Sequence, residues 1–198
     1  MQTDNKQIYK YLGVIFDTSG TDDKEIRSRV IQARKCIACL NGILWSKDTR
    51  KERKLNIYNA LIKSSLLYGS EIWRLTENNK RRVEATEMDA QRRSSRISRK
   101  ERIRNVTIRQ QIGLEETIVK EIEQKQLTWY GHVQRMVEGR LPEIILKWMP
   151  KQKRARGRPK KNWVEGIRKA MNERNLNEGQ QEDRKQWNLG VGQRRKAF

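Results

Sequence analysis

In 198 residues the chain carries 45 Lys and Arg against 24 Asp and Glu, a formal net charge of +21, and its sequence pI is near 10.4. Hydrophobic and charged residues each make up 35%, where globular domains usually run to about 45–50% and 25%, so the chain can bury only modest cores under amphipathic helices. No apolar run long enough to span a membrane and no signal-peptide pattern is present, so membrane spanning and secretion receive no support. The expected setting is intracellular.

A polyanion is the partner such a balance favours, because each phosphate neutralised by Lys or Arg releases condensed counterions. Structural proteins of ribosomes or chromatin show the same balance. The excess is uneven: residues 150–198 hold 15 basic and 5 acidic side chains. Cys36, Cys39 and the single histidine, His132, cannot complete the four-ligand set of a structural zinc site, so no metal or other cofactor is expected in this chain. Both cysteines fall within a helical pattern, which suits reduced thiols.

Ile8 to Asp17 is rich in β-branched and aromatic residues and stops at Asp17-Thr18-Ser19-Gly20, which predicts a strand, or two short strands around Gly13. Next, Ile26, Val30, Ala33, Ile37, Leu40 and Leu44 recur at alternating spacings of four and three, which predicts one amphipathic helix from about 23 to 44. Asp22 and Asp23 invite comparison with magnesium-binding carboxylates, but their place at a helix start already accounts for them through capping and the helix dipole. A second helix, about 49 to 67, buries Leu55, Tyr58, Leu61, Ile62 and Leu66, and Gly69 breaks it before Ile72-Trp73.

A third helix, 77 to about 97, has a thin apolar face of Val83, Ala90 and Ile97. Residues 92–109 hold eight bases and the single acid Glu101, a surface suited to phosphates. A short helix follows from Asn105 to Gly113. A strongly patterned one from 115 to 136 then aligns Ile118, Ile122, Trp129, Val133 and Met136, with His132 beside the stripe as a packed core residue. Arg140-Leu141-Pro142 ends that helix, and 144–150 forms an apolar bridge, helical or extended.

Lys151 to Trp163, KQKRARGRPKKNW, carries seven Lys and Arg. Its Arg156-Gly157-Arg158-Pro159 core looks like an AT-hook, in which an extended Arg-Gly-Arg lies along a narrow minor groove. The plain alternative is a basic connector between helical units. Asn162 is a cap for a last helix in which Trp163, Ile167, Ala170 and Met171 share a face. Beyond Asn175 the charged tail is expected to be loosely ordered. Gly-rich phosphate loops are absent, and no nucleophile has both a base and an orienting partner, so no catalytic residue and no small-molecule substrate is assigned.

Four landmarks occur in order: Tyr11-Leu12-Gly13; Leu67-Tyr68-Gly69-Ser70-Glu71-Ile72-Trp73; Trp129-Tyr130-Gly131-His132-Val133 with Arg135-Met136; and Arg156-Gly157-Arg158-Pro159 with Trp163. In this order and spacing the chain resembles the C-terminal portion, thumb and beyond, of the endonuclease–reverse transcriptase polyproteins of non-LTR (LINE-type) retrotransposons, over about residues 8–172. The resemblance implies a mainly α fold: an amphipathic helix bundle, with a short N-terminal strand or hairpin left from a palm-like sheet, and a loosely ordered basic C-terminal tail. It implies a palm-like strand segment at 1–20, thumb-like helices at 21–97, a post-thumb helical region at 98–149, a basic connector and last helix at 150–175, and the tail at 176–198.

No residue here matches the polymerase aspartates or the endonuclease domain of such proteins. The resemblance therefore implies a non-enzymatic fragment, with Mg2+ expected only for the missing catalytic palm. RNA, DNA or both are the implied partners, with that palm as a further one; no membrane partner is implied. The implied nucleic-acid contacts are Arg154, Arg156, Arg158, Lys160 and Lys161, then Arg92, Arg93, Arg96 and Lys100. Trp129, His132 and Trp163 are assigned to packing. The competing readings are a small AT-hook-like architectural DNA-binding protein and a non-functional element remnant.

Overall fold

The computed structural model describes residues 8–18, 20–114, 116–148 and 162–192. These residues form a mainly helical protein with a small antiparallel hairpin at the N-terminal end. Two compact units divide the chain: the first holds residues 1–69 and 75–121, the second 70–74 and 122–198.

In the first unit, β1 (Ile8–Tyr11) pairs with β2 (Val14–Asp17), with Tyr9 opposite Phe16 and Tyr11 opposite Val14. Leu12 and Gly13 form the turn with φ of 46° and 83°, the double left-handed geometry that matches the twist of a two-residue hairpin. An isolated pair of strands is marginal in water, and side chains of the helical body hold this one. The Glu25 carboxylate accepts from the Ile15 N–H at 2.7 Å, and the Arg29 guanidinium donates to the Gly13 carbonyl at 2.5 Å. The Tyr68 hydroxyl donates to the Leu12 carbonyl at 2.7 Å. Arg29 also lies 4.5 Å from the centre of the Tyr68 ring, a cation–π contact.

Helix α1 (Asp23–Cys39) buries Ile26, Val30, Ala33 and Ile37, as the spacing requires. The single helix expected to run to 44 is two: the chain breaks at Leu40, and α2 (Asn41–Trp45) starts afresh to bury Leu44. Asn41-Gly42, two poor helix formers, sit at that break. The next helix runs as α3 (Lys51–Ile57), a π-helical stretch (Tyr58–Lys63) and α4 (Ser64–Leu66). A π-turn takes in one extra residue and shifts the phase of the helix beyond it. Leu61, expected in the buried stripe, is 51% exposed for that reason, while Ile62 and Leu66 are fully buried.

Helix α5 (Glu77–Ser94), capped by Thr76, packs against α1, α2 and α3. It is followed by a capped 3-10 turn (Arg99–Glu101), by α6 (Asn105–Ile112), which ends at the left-handed Gly113, and by α7 (Ile118–Gln134), whose first residues belong to this unit. Glu87 of α5 joins these parts. Its carboxylate accepts from the Tyr58 hydroxyl at 3.4 Å, from Arg109 of α6 at 3.0 Å and from the Ile118 N–H at 3.4 Å.

In the second unit, the Gln126 amide donates to the carbonyls of Ser70 and Trp73, at 3.1 and 2.7 Å, and Trp73 is buried. Pro142, expected to end a helix, instead opens α8 (Leu141–Lys147); the missing N–H of proline costs nothing in a first turn. Helix α9 (Trp163–Asn172) buries Ile167, Ala170 and Met171 against Leu127, Leu176, Trp187 and Val191. The Trp163 indole N–H donates to the Glu71 carbonyl at 3.0 Å.

Of the tail expected to be loosely ordered, residues 176–192 are described and their folded part extends to Gly192. Helix α10 (Arg184–Gly192) buries Trp187 completely. Its indole N–H donates to the Leu127 carbonyl at 3.0 Å, so one aromatic supplies the area that the charged composition lacks. Gly131 makes this possible. A Cβ there would lie 2.7 Å from Trp187 Cδ1.

Gly131→Ala is therefore expected to lower the stability of the second unit by about 1–3 kcal/mol through overpacking. Trp187→Ala is expected to cost about 3–5 kcal/mol. Urea or thermal unfolding of the full chain, monitored by tryptophan fluorescence, measures both.

Candidate nucleic-acid interface

The first unit contains a cleft of about 380 Å³ built by three separate stretches. Ser46, Lys47, Thr49, Arg50, Lys51, Lys54 and Tyr58 come from the loop after α2 and from the helix that follows. Gln91, Ser94, Ser95 and Arg96 come from the end of α5, and Gln111, Ile112 and Leu114 from the end of α6. Five lining residues are cationic and none is acidic, so the cleft carries uncompensated positive charge from its own walls.

Lys54 sits deepest among the cations, at 4% exposure. Its ammonium donates to the carbonyls of Ser46 at 2.7 Å and Ser94 at 3.2 Å, which ties the loop to the end of α5. Burial first, and then the charge of Arg96, hold its pKa below the ordinary lysine value. A bound anion would offset the like-charge part of that penalty.

Arg96 is placed by a helix end of unusual composition. The Ile97 N–H donates to the Arg92 carbonyl at 2.9 Å and the Arg96 N–H to the Arg93 carbonyl at 3.0 Å, the paired bonds of a Schellman cap. The left-handed position of that motif normally takes glycine. Here Arg96 occupies it with φ 57°, at a cost of about 1 kcal/mol, and its side chain lines the cleft.

The cleft's inner wall carries polar groups as well. Tyr58 is buried, and burial first, then the Glu87 and Glu121 carboxylates, push its hydroxyl far above the usual phenol range, so it remains a neutral donor. The Gln91 amide lies close to that hydroxyl, which itself donates to Glu87. Gln91 is 2% exposed, and neither of its amide atoms completes a hydrogen bond within the described residues.

Among the contact residues expected from sequence, Arg96 lines this cleft and Lys100 lies exposed on the capped turn. Arg92 is engaged within the fold, donating to the Ile103 carbonyl at 2.6 Å and to Asn105 at 3.0 Å. Arg93 bonds Asp89 and Asn41. Arg154, Arg156, Arg158, Lys160 and Lys161 lie outside the described residues. Sequence reasoning missed Lys47, Arg50, Lys51, Lys54 and Gln91 as members of one site. The signal in the sequence was the crowding of Arg50, Lys51, Arg53 and Lys54 into the first turns of the second helix.

Asp22 immediately precedes α1, and Asp23 lies in its first turn, accepting from the Asn79 amide at 2.6 Å. His132, expected in the core, is exposed, its ring against Trp129 at 5.6 Å. Cys36 and Cys39 are free thiols on α1. Among the described residues no cluster of three or more His, Cys, Asp or Glu is placed to hold a metal, and no helix is long and apolar enough to cross a membrane. The second unit carries an apolar recess of about 310 Å³ between Ile72, Trp129, Val133, Pro142, Ile145 and Trp163.

The chain is similar to a putative uncharacterized transposon-derived protein, F52C9.6, of Caenorhabditis elegans, with 27% identity over 200 residues, 94% of this chain and 70% of that protein. No family model matches the chain, and no solved structure does. The similarity supports a transposon-related origin.

The cleft and the buried Glu87 generate two testable outcomes. Arg96→Gly is expected to raise the stability of the first unit by up to about 1 kcal/mol, because glycine takes a left-handed φ without strain, while weakening the binding of anions; unfolding and phosphate titration read the two effects separately. The buried carboxyl of Glu87 has its pKa raised, chiefly by desolvation and against the pull of Arg109. Its protonated form is favoured by folding, so that contribution is full below the unfolded glutamate value of 4.5 and is lost as pH rises through the folded value. The stability difference between the parent and Glu87→Gln should therefore shift against the parent over that rise. A flat difference would contradict it.

Proposed function

We propose that this chain is the nucleic-acid-binding C-terminal part of a non-LTR retrotransposon reverse transcriptase, corresponding to thumb and post-thumb and lacking the polymerase active site. The acid-free basic cleft of the first unit carries the reading, and the transposon-derived relative and the ordered landmarks support it. In the parent polyprotein, an RNA-directed DNA polymerase, these helices would hold RNA or DNA by its phosphates while a palm elsewhere supplies the aspartates and Mg2+.

Charge is the working part of this mechanism. A strand entering the cleft exchanges condensed counterions for Lys47, Arg50, Lys51 and Arg96, so affinity is gained by counterion release. Polar side chains then fix the position of the strand without reading its whole sequence.

The test is titration of the purified full chain with labelled single-stranded RNA, single-stranded DNA and duplex DNA at several salt concentrations. Neutralising about four phosphates of a single strand predicts a log–log salt slope near −3. No nucleotide incorporation is expected with primer, template and Mg2+. Failure to bind any of these at low salt, or measurable incorporation, overturns the proposal. Selective binding of A·T-rich duplex, lost on joint Arg156→Ala and Arg158→Ala substitution, would instead assign the activity to the AT-hook-like stretch.

A further inference from the structure

Beyond the strand it would hold, the cleft carries in its own wall a side chain that can be turned into an anion. Four of its lining residues are Ser or Thr: Ser46, Thr49, Ser94 and Ser95. The Ser46 hydroxyl accepts from the Asp48 N–H at 3.1 Å, and the Ser94 hydroxyl donates to the Ala90 carbonyl at 3.0 Å inside α5. Thr49 directly follows the acid Asp48. Ser95 stands apart from these. It is the half-buried residue at the C-terminal cap of α5, and it lies in the run Arg92-Arg93-Ser94-Ser95-Arg96.

Guanidinium groups three and two residues ahead of a serine are a pattern that serine kinases with acidic substrate subsites select by charge. In the folded chain Arg92 bonds Ile103 and Asn105, and Arg93 bonds Asp89 and Asn41, so a kinase takes this segment when the end of α5 opens. Helix ends fray, and local opening there costs less than unfolding the core.

We infer that Ser95 is a phosphorylation site, and that its phosphate fills the basic cleft in place of a nucleic-acid phosphate and so turns binding down. The inference rests on the nucleic-acid reading above and adds its regulation. In the reaction Ser95 Oγ attacks the terminal phosphorus of a nucleoside triphosphate held by the kinase. The bond from that phosphorus to the diphosphate oxygen breaks, the diphosphate leaves with the bonding pair, and the hydroxyl proton passes to a base of the kinase. The product brings about two negative charges and three acceptor oxygens to a wall that holds no acid. Arg96, the next residue, lines the same cleft, and the Lys54 ammonium lies 3.2 Å from the carbonyl of the preceding Ser94. The C-terminal end of α5 opposes an anion, but its dipole amounts to about half an elementary charge, against five cationic side chains around the cleft. The cations prevail.

The full chain should be compared with a form carrying phosphoserine at position 95, introduced by site-specific incorporation, in titrations with a labelled single-stranded RNA of about ten nucleotides across a salt series. The phosphate is expected to cancel about two of the phosphate contacts, which brings the log–log salt slope from near −3 to about −1.5 and, at about 0.1 M salt, lowers affinity more than tenfold. Phosphatase treatment is expected to restore it. Phosphorus NMR places the group without any nucleic acid: its second pKa is expected below the ordinary value of about 6, because the cations favour the dianion, and to return towards it when Arg96→Ala is added. Treating the folded parent with an arginine-directed serine kinase, ATP and Mg2+ is expected to modify Ser95, mapped by mass spectrometry, and to leave the affinity of Ser95→Ala where it was before treatment.

Modification confined to other serines overturns the site. A phosphoserine form that binds the RNA as tightly as the parent, or whose phosphate pKa is not lowered, overturns the filling of the cleft. Loss of the fold in the phosphoserine form, read by thermal unfolding, overturns it too, because the charge then acts on α5 itself. A parent that fails to bind the RNA at low salt overturns the nucleic-acid reading, and a lowered phosphate pKa would still place the phosphate in the cleft, so the two failures are distinguishable.

Discussion

Glu87 is an acid buried in a chain with 21 more positive than negative charges, and the first unit is assembled around it. Its carboxylate collects a hydroxyl from the π-turn, a guanidinium from α6 and a backbone N–H from the first turn of α7. The three partners offset part of the cost of desolvating that carboxylate, and they draw the helices that supply them to one acid. Tyr58 and Gln91, which line the basic cleft, belong to the same neighbourhood. The acid at the centre of the unit thereby positions a wall of the cleft from which acids are excluded.

The landmarks that suggested a retroelement origin have physical employment in the fold. Tyr68 of the second landmark bonds the Leu12 carbonyl of the first, and the Cβ that Gly69 lacks would lie 3.0 Å from Val14. Two strings separated by more than fifty residues thus form one joint that fastens the hairpin to the helices. In the second unit, Gly131 of the third landmark gives Trp187 its seat, and Trp163, from the fourth, bonds Glu71. Glycines and aromatics at these points are what close packing requires, whatever the chain does.

Periodicity alone carried much of the helical core. Ile26, Val30, Ala33 and Ile37 are spaced for one helical face, and all four are buried. Leu61 was misplaced because a π-turn changes phase without a mark in composition. The folded extent of the tail was hidden because one buried tryptophan does the work there of a stripe. His132 lay next to an apolar stripe in projection, and the structure turns it outward onto Trp129. The cleft was the least legible feature: its walls come from three distant stretches, and Gln91, on a mostly polar helix, becomes distinctive only when its missing partners are seen.

Charge, strain and an unsatisfied amide meet in one place. Lys54 is held below its usual pKa, Arg96 occupies a glycine position, and neither amide atom of Gln91 completes a hydrogen bond among the described residues; an anion in the cleft would offset the like-charge part of the first of these costs. The most direct measurement is a lysine-acylation footprint of the full chain, read by mass spectrometry with and without a single-stranded oligonucleotide. The account predicts that Lys47 and Lys51 lose reactivity on binding while Lys35, exposed on α1, keeps it. Protection confined to Lys151, Lys153, Lys160 and Lys161, with Lys47 and Lys51 fully reactive, would contradict it.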